Sequence, residues 1–167
     1  VPLYINEFMA LNNTTITNEL GRYEDWIELY NAGISNISLA GMYISDSLSN
    51  PTKGRLPERV LAPREFLVLW ADETTNLGPH HLPFKLSGSG EAVGIYQRAD
   101  SGTALIHAVS FPAQFNDMSY GLYPDAGTSW LLMAIPTPGT NNIVPEPVWR
   151  APLALLAALV PTCRIRR

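Results

Sequence analysis

Fourteen prolines and twelve glycines cut this 167-residue chain into short apolar runs, and helical periodicity is nearly absent. In order the runs read "LYINEFMA", "DWIELYN", "SLAGMYISD", "RVLAPREFLVLWAD", "HHLPFKLS", "EAVGIYQ", "ALIHAVSF", "MSYGLYP" and "SWLLMA". Turn signals recur about every ten residues between them, the pattern of an all-β, immunoglobulin-like β-sandwich of about eight or nine strands. Alternation along "DWIELYN" puts Ile27 and Leu29 on one face and Trp26, Glu28 and Tyr30 on the other. "FLVLWAD" is apolar on both faces and predicts a central strand covered on both sides. "SGSGE" reads as a glycine turn between two strands; it opens no helix, so it fits a phosphate-cradling loop poorly.

With 46% hydrophobic and 16% charged residues the chain has material for a sizeable core. A net charge of −4 and no dense Lys/Arg run before residue 145 argue against nucleic acid as a partner, because phosphate neutralisation needs a basic stripe. One cysteine, Cys163, builds neither a disulfide framework nor a cysteine metal site. Val1 opens almost inside a strand-like run, which a removed leader or a fragmentary record explains equally well.

After "PTPGTNN" the character changes, so residues 1–142 read as the sandwich domain and 143–167 as a tail. The tail has a Pro-rich opening, an apolar stretch from Ala151 to Val160, and three arginines. Ten apolar residues fall short of the roughly 20 that span a bilayer. Either this segment packs on the domain or it is a C-terminal sorting segment. Pro145, Pro147, Pro152 and Pro161 fragment it and favour sorting, with the basic end on the cytoplasmic side.

Several of these stretches carry a family likeness. "INEFMALNNTTITNELGRYEDWIELYNAG", "ISLAGMYISDSLSNPTKGRLP", "FLVLWADE", "FKLSGSGEAVGIY" and "DMSYGLYPDAG…W" together resemble, in order, the lamin tail domain in its bacterial secreted form. "PTPGTNN" is similar to the usual end of that domain, and the likeness covers roughly residues 2–142. The resemblance implies an immunoglobulin-like sandwich and a non-catalytic extracellular or cell-surface binding or adhesion module with a protein or glycan partner. The tail resembles a sorting signal in which Pro145, Glu146 and Pro147 form the motif and Arg164, Arg166 and Arg167 the basic end. That second resemblance implies export behind a signal peptide, processing by an exosortase-type membrane enzyme, and membrane contact through this segment alone. Arg150, Pro152 and Pro161 depart from its pattern. An intracellular structural or scaffolding sandwich, its tail packed on the domain, is the alternative.

Residues that could carry chemistry are few. Glu24 and Glu28 share a strand face but stand about 13 Å apart, and Asp25 faces the other way, so with Glu19 they read as surface carboxylates and a cap at the start of the strand. Asp46, Asp72, Asp117 and Asp125 sit at strand ends or turns, where Asp usually satisfies backbone N–H groups. Loops at one end of a sandwich can also gather such groups around calcium; Asp72 and Glu73 are the candidate pair, and no other cofactor is implied. His80 and His81 read as loop surface rather than zinc ligands. His107 is placed on one face with Leu105, Val109 and Phe111 as a hydrogen-bonded core or interface histidine. No G-x-S-x-G elbow supports a hydrolase. Lys53 and Arg55 read as a solvated basic turn. Trp26, Trp70, Trp130, Tyr30, Tyr43, Tyr96, Tyr120 and Tyr123 lie in or beside strands, and two or three exposed together would make a binding platform.

Overall fold

A computed structural model describes residues 1–143. The expectations for Pro145, Glu146, Pro147, Cys163, Arg164, Arg166 and Arg167 lie outside the described residues. The alternating runs become β1 (Leu3–Met9), β2 (Asp25–Asn31), β4 (Met42–Ser45), β7 (Phe66–Ala71), β9 (Glu91–Ala99), β10 (Gly102–Phe111), β11 (Ser119–Tyr123) and β12 (Ser129–Met133). Four two-residue pieces add β3 (Ile37–Ser38), β5 (Gly54–Arg55), β6 (Val60–Leu61) and β8 (His81–Leu82). The eight longer strands match the expected number.

One sheet has the order β12-β11-β1-β2-β7-β8, a second has β10-β9-β4-β5, and β3 pairs with β6 alone. All pairings are antiparallel except β7 with β8. Ile5, Phe8, Ile27, Leu29, Leu67 and Leu69 of the first sheet join Ile44, Val93, Ile95, Val109 and Phe111 of the second in one buried apolar cluster. Filling the space between two sheets from their alternate residues defines an immunoglobulin-like β-sandwich. Burial of this aliphatic and aromatic surface is the main stabilising term, and truncating one such residue to Ala costs roughly 2–5 kcal/mol.

Three expectations are corrected. β7 is not covered on both sides: Leu67, Leu69 and Ala71 are buried against the second sheet, while Phe66, Val68 and Trp70 keep partial exposure because that sheet packs on the inner face alone. "HHLPFKLS" yields only β8 and an isolated bridge between Lys85 and Asp72, since Pro83 has no N–H for a ladder. Leu105 does not share the face of His107: a bulge between them breaks the alternation, and Leu105 is exposed. The glycine turn at "SGSGE" forms as read, with Gly90 N–H donating to the Ser87 carbonyl at φ +99°.

Candidate functional site

β2 is buried on both faces, contrary to the reading of Glu28 as a surface carboxylate. Alternation does place Glu28 away from the core with Trp26 and Tyr30, but that outer face is itself covered. The loop after β1 covers one end, where Thr15 Oγ1 meets Met9 Sδ at 3.4 Å. "PTPGTNN" covers the middle as a strap running from residue 136 to 142.

A bulge in β1 prepares the surface on which the strap lies. The register shifts between Ile5 and Glu7, so Glu7 sits across from Glu28 while Ile5 and Phe8 both stay in the core. The Asn6 side chain donates to Glu28 Oε1 and to Asp125 Oδ1, both at 3.0 Å, and its Oδ1 accepts the Ala126 N–H at 3.1 Å. Glu7 accepts the Ser119 hydroxyl, the Thr137 N–H at 3.0 Å and the Thr137 hydroxyl at 3.0 Å. Glu28 Oε2 accepts the Gly139 N–H at 2.5 Å. Asp125 accepts the Asn142 N–H at 2.9 Å, and Asn142 Nδ2 donates to the carbonyls of Asn6 and Leu122 at 3.2 and 2.8 Å.

Three carboxylates therefore meet in one network whose hydrogen-bonding partners are all uncharged donors. Among the described residues no Lys, Arg or His forms an ion pair with Glu7, Glu28 or Asp125. Burial pushes Glu28 up to about 8 against the pull of the Asn6 and Gly139 donors, and Glu7 and Asp125 push the same way. Burial also raises Glu7, opposed by Ser119 and Thr137. Asp25, half-buried at the start of β2, is pushed up to about 7 by burial while it accepts the Leu86 N–H at 3.1 Å.

His81 is not loop surface. It is buried, with Nδ1 at 2.7 Å from Asp72 Oδ2 and Nε2 at 2.7 Å from Glu19 Oε1. The ring thus meets a carboxylate at each nitrogen. It ties the loop carrying Glu19 to the one carrying Thr74, whose N–H donates to Asp72 Oδ1 at 3.0 Å. Burial pushes Asp72 up, but the bonds from Thr74 and His81 outweigh it and hold the carboxyl below its usual range. Its proposed calcium partner Glu73 is exposed at φ +62°. Among the described residues no group of three or more His, Cys, Asp and Glu is arranged to hold a metal ion.

The other candidates serve the fold locally. His107 Nδ1 accepts the Ile5 N–H at 3.1 Å, which makes it the unprotonated nitrogen, and burial holds the ring below its ordinary value. Asp117 accepts the N–H groups of Asn13 and Thr14 at 2.7 and 2.8 Å. Lys53 pairs with Asp46 at 2.7 Å and lies 5.4 Å from the Phe84 ring centre. Of the eight aromatics only Tyr123 is exposed. Trp26 is fully buried, and Trp130 stacks on Tyr120 at 5.3 Å. No exposed set of two or three of them forms.

Sequence pattern alone misses the carboxylate network, because Glu7 sits inside the apolar run "LYINEFMA". A faint signal is present: "NE" at 6–7 puts two polar residues in succession within an apolar strand, which breaks strict alternation and which a bulge accommodates.

Among the described residues no helix is long and apolar enough to cross a membrane. No curated protein and no solved structure matches the chain. The model of the Lamin Tail Domain (LTD) matches residues 1–113, from β1 to just past β10, and β11 and β12 complete the six-stranded sheet beyond the matched residues. That match spans well over half of the chain and agrees with the immunoglobulin-like sandwich, so the chain belongs to the lamin tail domain family.

Proposed function

We propose that the protein is an exported binding module that acts without catalysis at the cell surface and engages a protein partner by strand addition to β12. The observation that carries this reading is the composition of that edge. β12 ends the six-stranded sheet with "SWLLM", five residues without a charge, and Leu131 and Leu132 are 37% and 41% exposed. Ile135 continues the apolar surface just beyond it. Natural sandwiches protect edges with charge, proline or bulges, because bare backbone N–H and C=O groups recruit another strand. An uncharged apolar edge is therefore suited to pairing, its backbone supplying affinity and its side chains specificity.

On this reading the buried polar residues have other work. Glu7, Glu28, Asp72 and His81 are engaged inside the fold, which leaves the edges for contact. The tail with Pro145, Glu146, Pro147, Arg164, Arg166 and Arg167 then serves sorting by an exosortase-type enzyme.

The test places a photo-crosslinking residue at Leu131 of the full chain in the native host. A discrete surface-protein adduct is expected, and Leu132→Lys abolishes it while the melting temperature stays unchanged. An adduct that persists in Leu132→Lys, or no adduct in either chain, overturns the reading. Loss of the terminal residues from the intact mass of the native protein supports sorting, and recovery of soluble chain still carrying Arg167 refutes it.

A further inference from the structure

The strap differs from the strands beneath it in how it is held. β1 and β2 are locked in a six-stranded ladder, whereas residues 136–142 are tied to them largely by side-chain acceptors. Two of those acceptors are buried glutamates on adjacent strands, and the third is Asp125. Gly139, Thr140 and Asn141 are exposed, Pro136, Thr137 and Pro138 are half-buried, and the one buried residue, Asn142, is polar, so lifting the strap forfeits little apolar burial of its own.

We propose that the strap is a pH-gated clasp: it lies on the sheet while the buried Glu7–Glu28 pair carries a proton, and it lifts when both carboxylates are ionised. The groups facing Glu28 make this a local event. β1 contributes Asn6 and Glu7, the turn after β11 contributes Asp125, β7 places Val68 opposite, and the strap supplies the Gly139 N–H. Every charged neighbour is thus another carboxylate. Two negative charges side by side in a low-dielectric space repel strongly unless water reaches them. The sheet cannot open cheaply, because its ladder and core would go with it. The strap is the cover whose removal hydrates both carboxylates while leaving every ladder intact. Lifting it also bares the outer face of β1 and β2 and lengthens the tether to residues beyond 143.

Amide hydrogen exchange on the full chain tests this, with the protection of Thr137, Gly139 and Asn142 expressed relative to Leu29 and Leu69 in the core strands. Between about pH 6 and about pH 9 the relative protection of the strap amides is expected to fall by roughly tenfold or more, one such factor for each pH unit of coupled ionisation. In Glu28→Gln, which keeps the shape and removes one charge, the ratio stays level. Should that variant fail to fold, Glu7→Gln makes the same comparison. A wild-type ratio that does not change with pH overturns the clasp, as does an equal fall in the glutamine variant.

Discussion

Glu7 and Glu28 face one another across the β1–β2 pair, each accepting a backbone N–H from the same strap. Their environment fixes the sign of the pH dependence. Glu28 is raised to about 8 and Asp25 to about 7, with Glu7 raised as well, so the folded state holds protons that the unfolded chain has released. The stabilisation from these groups is fully present below the ordinary carboxylate range and is lost as pH rises through their folded values. Urea midpoints are expected to fall from about pH 5 to about pH 8, as the unfolding free energy drops by an amount of order a few kcal/mol. Glu28→Gln reduces that slope. Equal midpoints across this range would refute the raised values.

His81 binds Asp72 and Glu19 from its two ring nitrogens, and the three differ in burial. The side chains of His81 and Asp72 are 2% and 1% exposed, while that of Glu19 is half exposed. His81→Leu strands the Asp72 charge and is expected to destabilise by about 2–4 kcal/mol. Glu19→Gln changes little, because its oxygen is solvated and an amide still reaches the ring. Adding Asp72→Asn to His81→Leu restores part of the loss, because the stranded group is then neutral. Denaturation of the three variants near neutral pH checks the order.

Much of the fold was legible because period-two alternation reports directly on strands long enough to show it, such as β2, and fails in β10 only at its bulge. Two-residue strands such as β5 and β8 carry no periodicity, so nothing in "GR" or "HL" announces a pairing. The site was hidden for a different reason. Alternation turns Glu28 away from the core, yet whether that outer face meets water depends on Gly139, 111 residues later. His81 likewise gains its second carboxylate from Glu19, 62 residues earlier. Local pattern states which way a side chain points; long-range covering decides what it meets there.

Gly90 closes the turn between "SGSG" and β9 at φ +99°, and an added Cβ would lie 2.7 Å from the Phe111 carbonyl oxygen. Both the backbone conformation and the neighbouring main chain resist a side chain. Gly90→Ala is expected to cost more than about 2 kcal/mol. Gly41→Ala, at φ +73° with open space around it, meets only the conformational penalty of about 1 kcal/mol. Similar melting temperatures for the two variants would contradict the close approach at Gly90.

Gly121 offers a way to loosen the strap without touching a charge. It lies across from Glu7 in the β1–β11 pair, and a Cβ there would come within 2.8 Å of Asn142 Nδ2 and 3.0 Å of Met133 Cε. The Met133 chain can swing aside, but the Asn142 amide is held by the carbonyls of Asn6 and Leu122. Gly121→Ala is therefore expected to displace Asn142 and break those two bonds, at about 1–3 kcal/mol, while the β1–β11 ladder remains. Amide exchange at Thr137 and Gly139 should accelerate at every pH in this variant, in contrast to the pH-dependent acceleration expected of the wild type. Asn142→Ala alone removes the same two bonds and should accelerate strap exchange to a similar extent, with the double variant Gly121→Ala, Asn142→Ala adding little more because the shorter side chain makes room for the new methyl group. If Gly121→Ala leaves strap exchange unchanged, Asn142 does not anchor the strap and its two carbonyl contacts are dispensable.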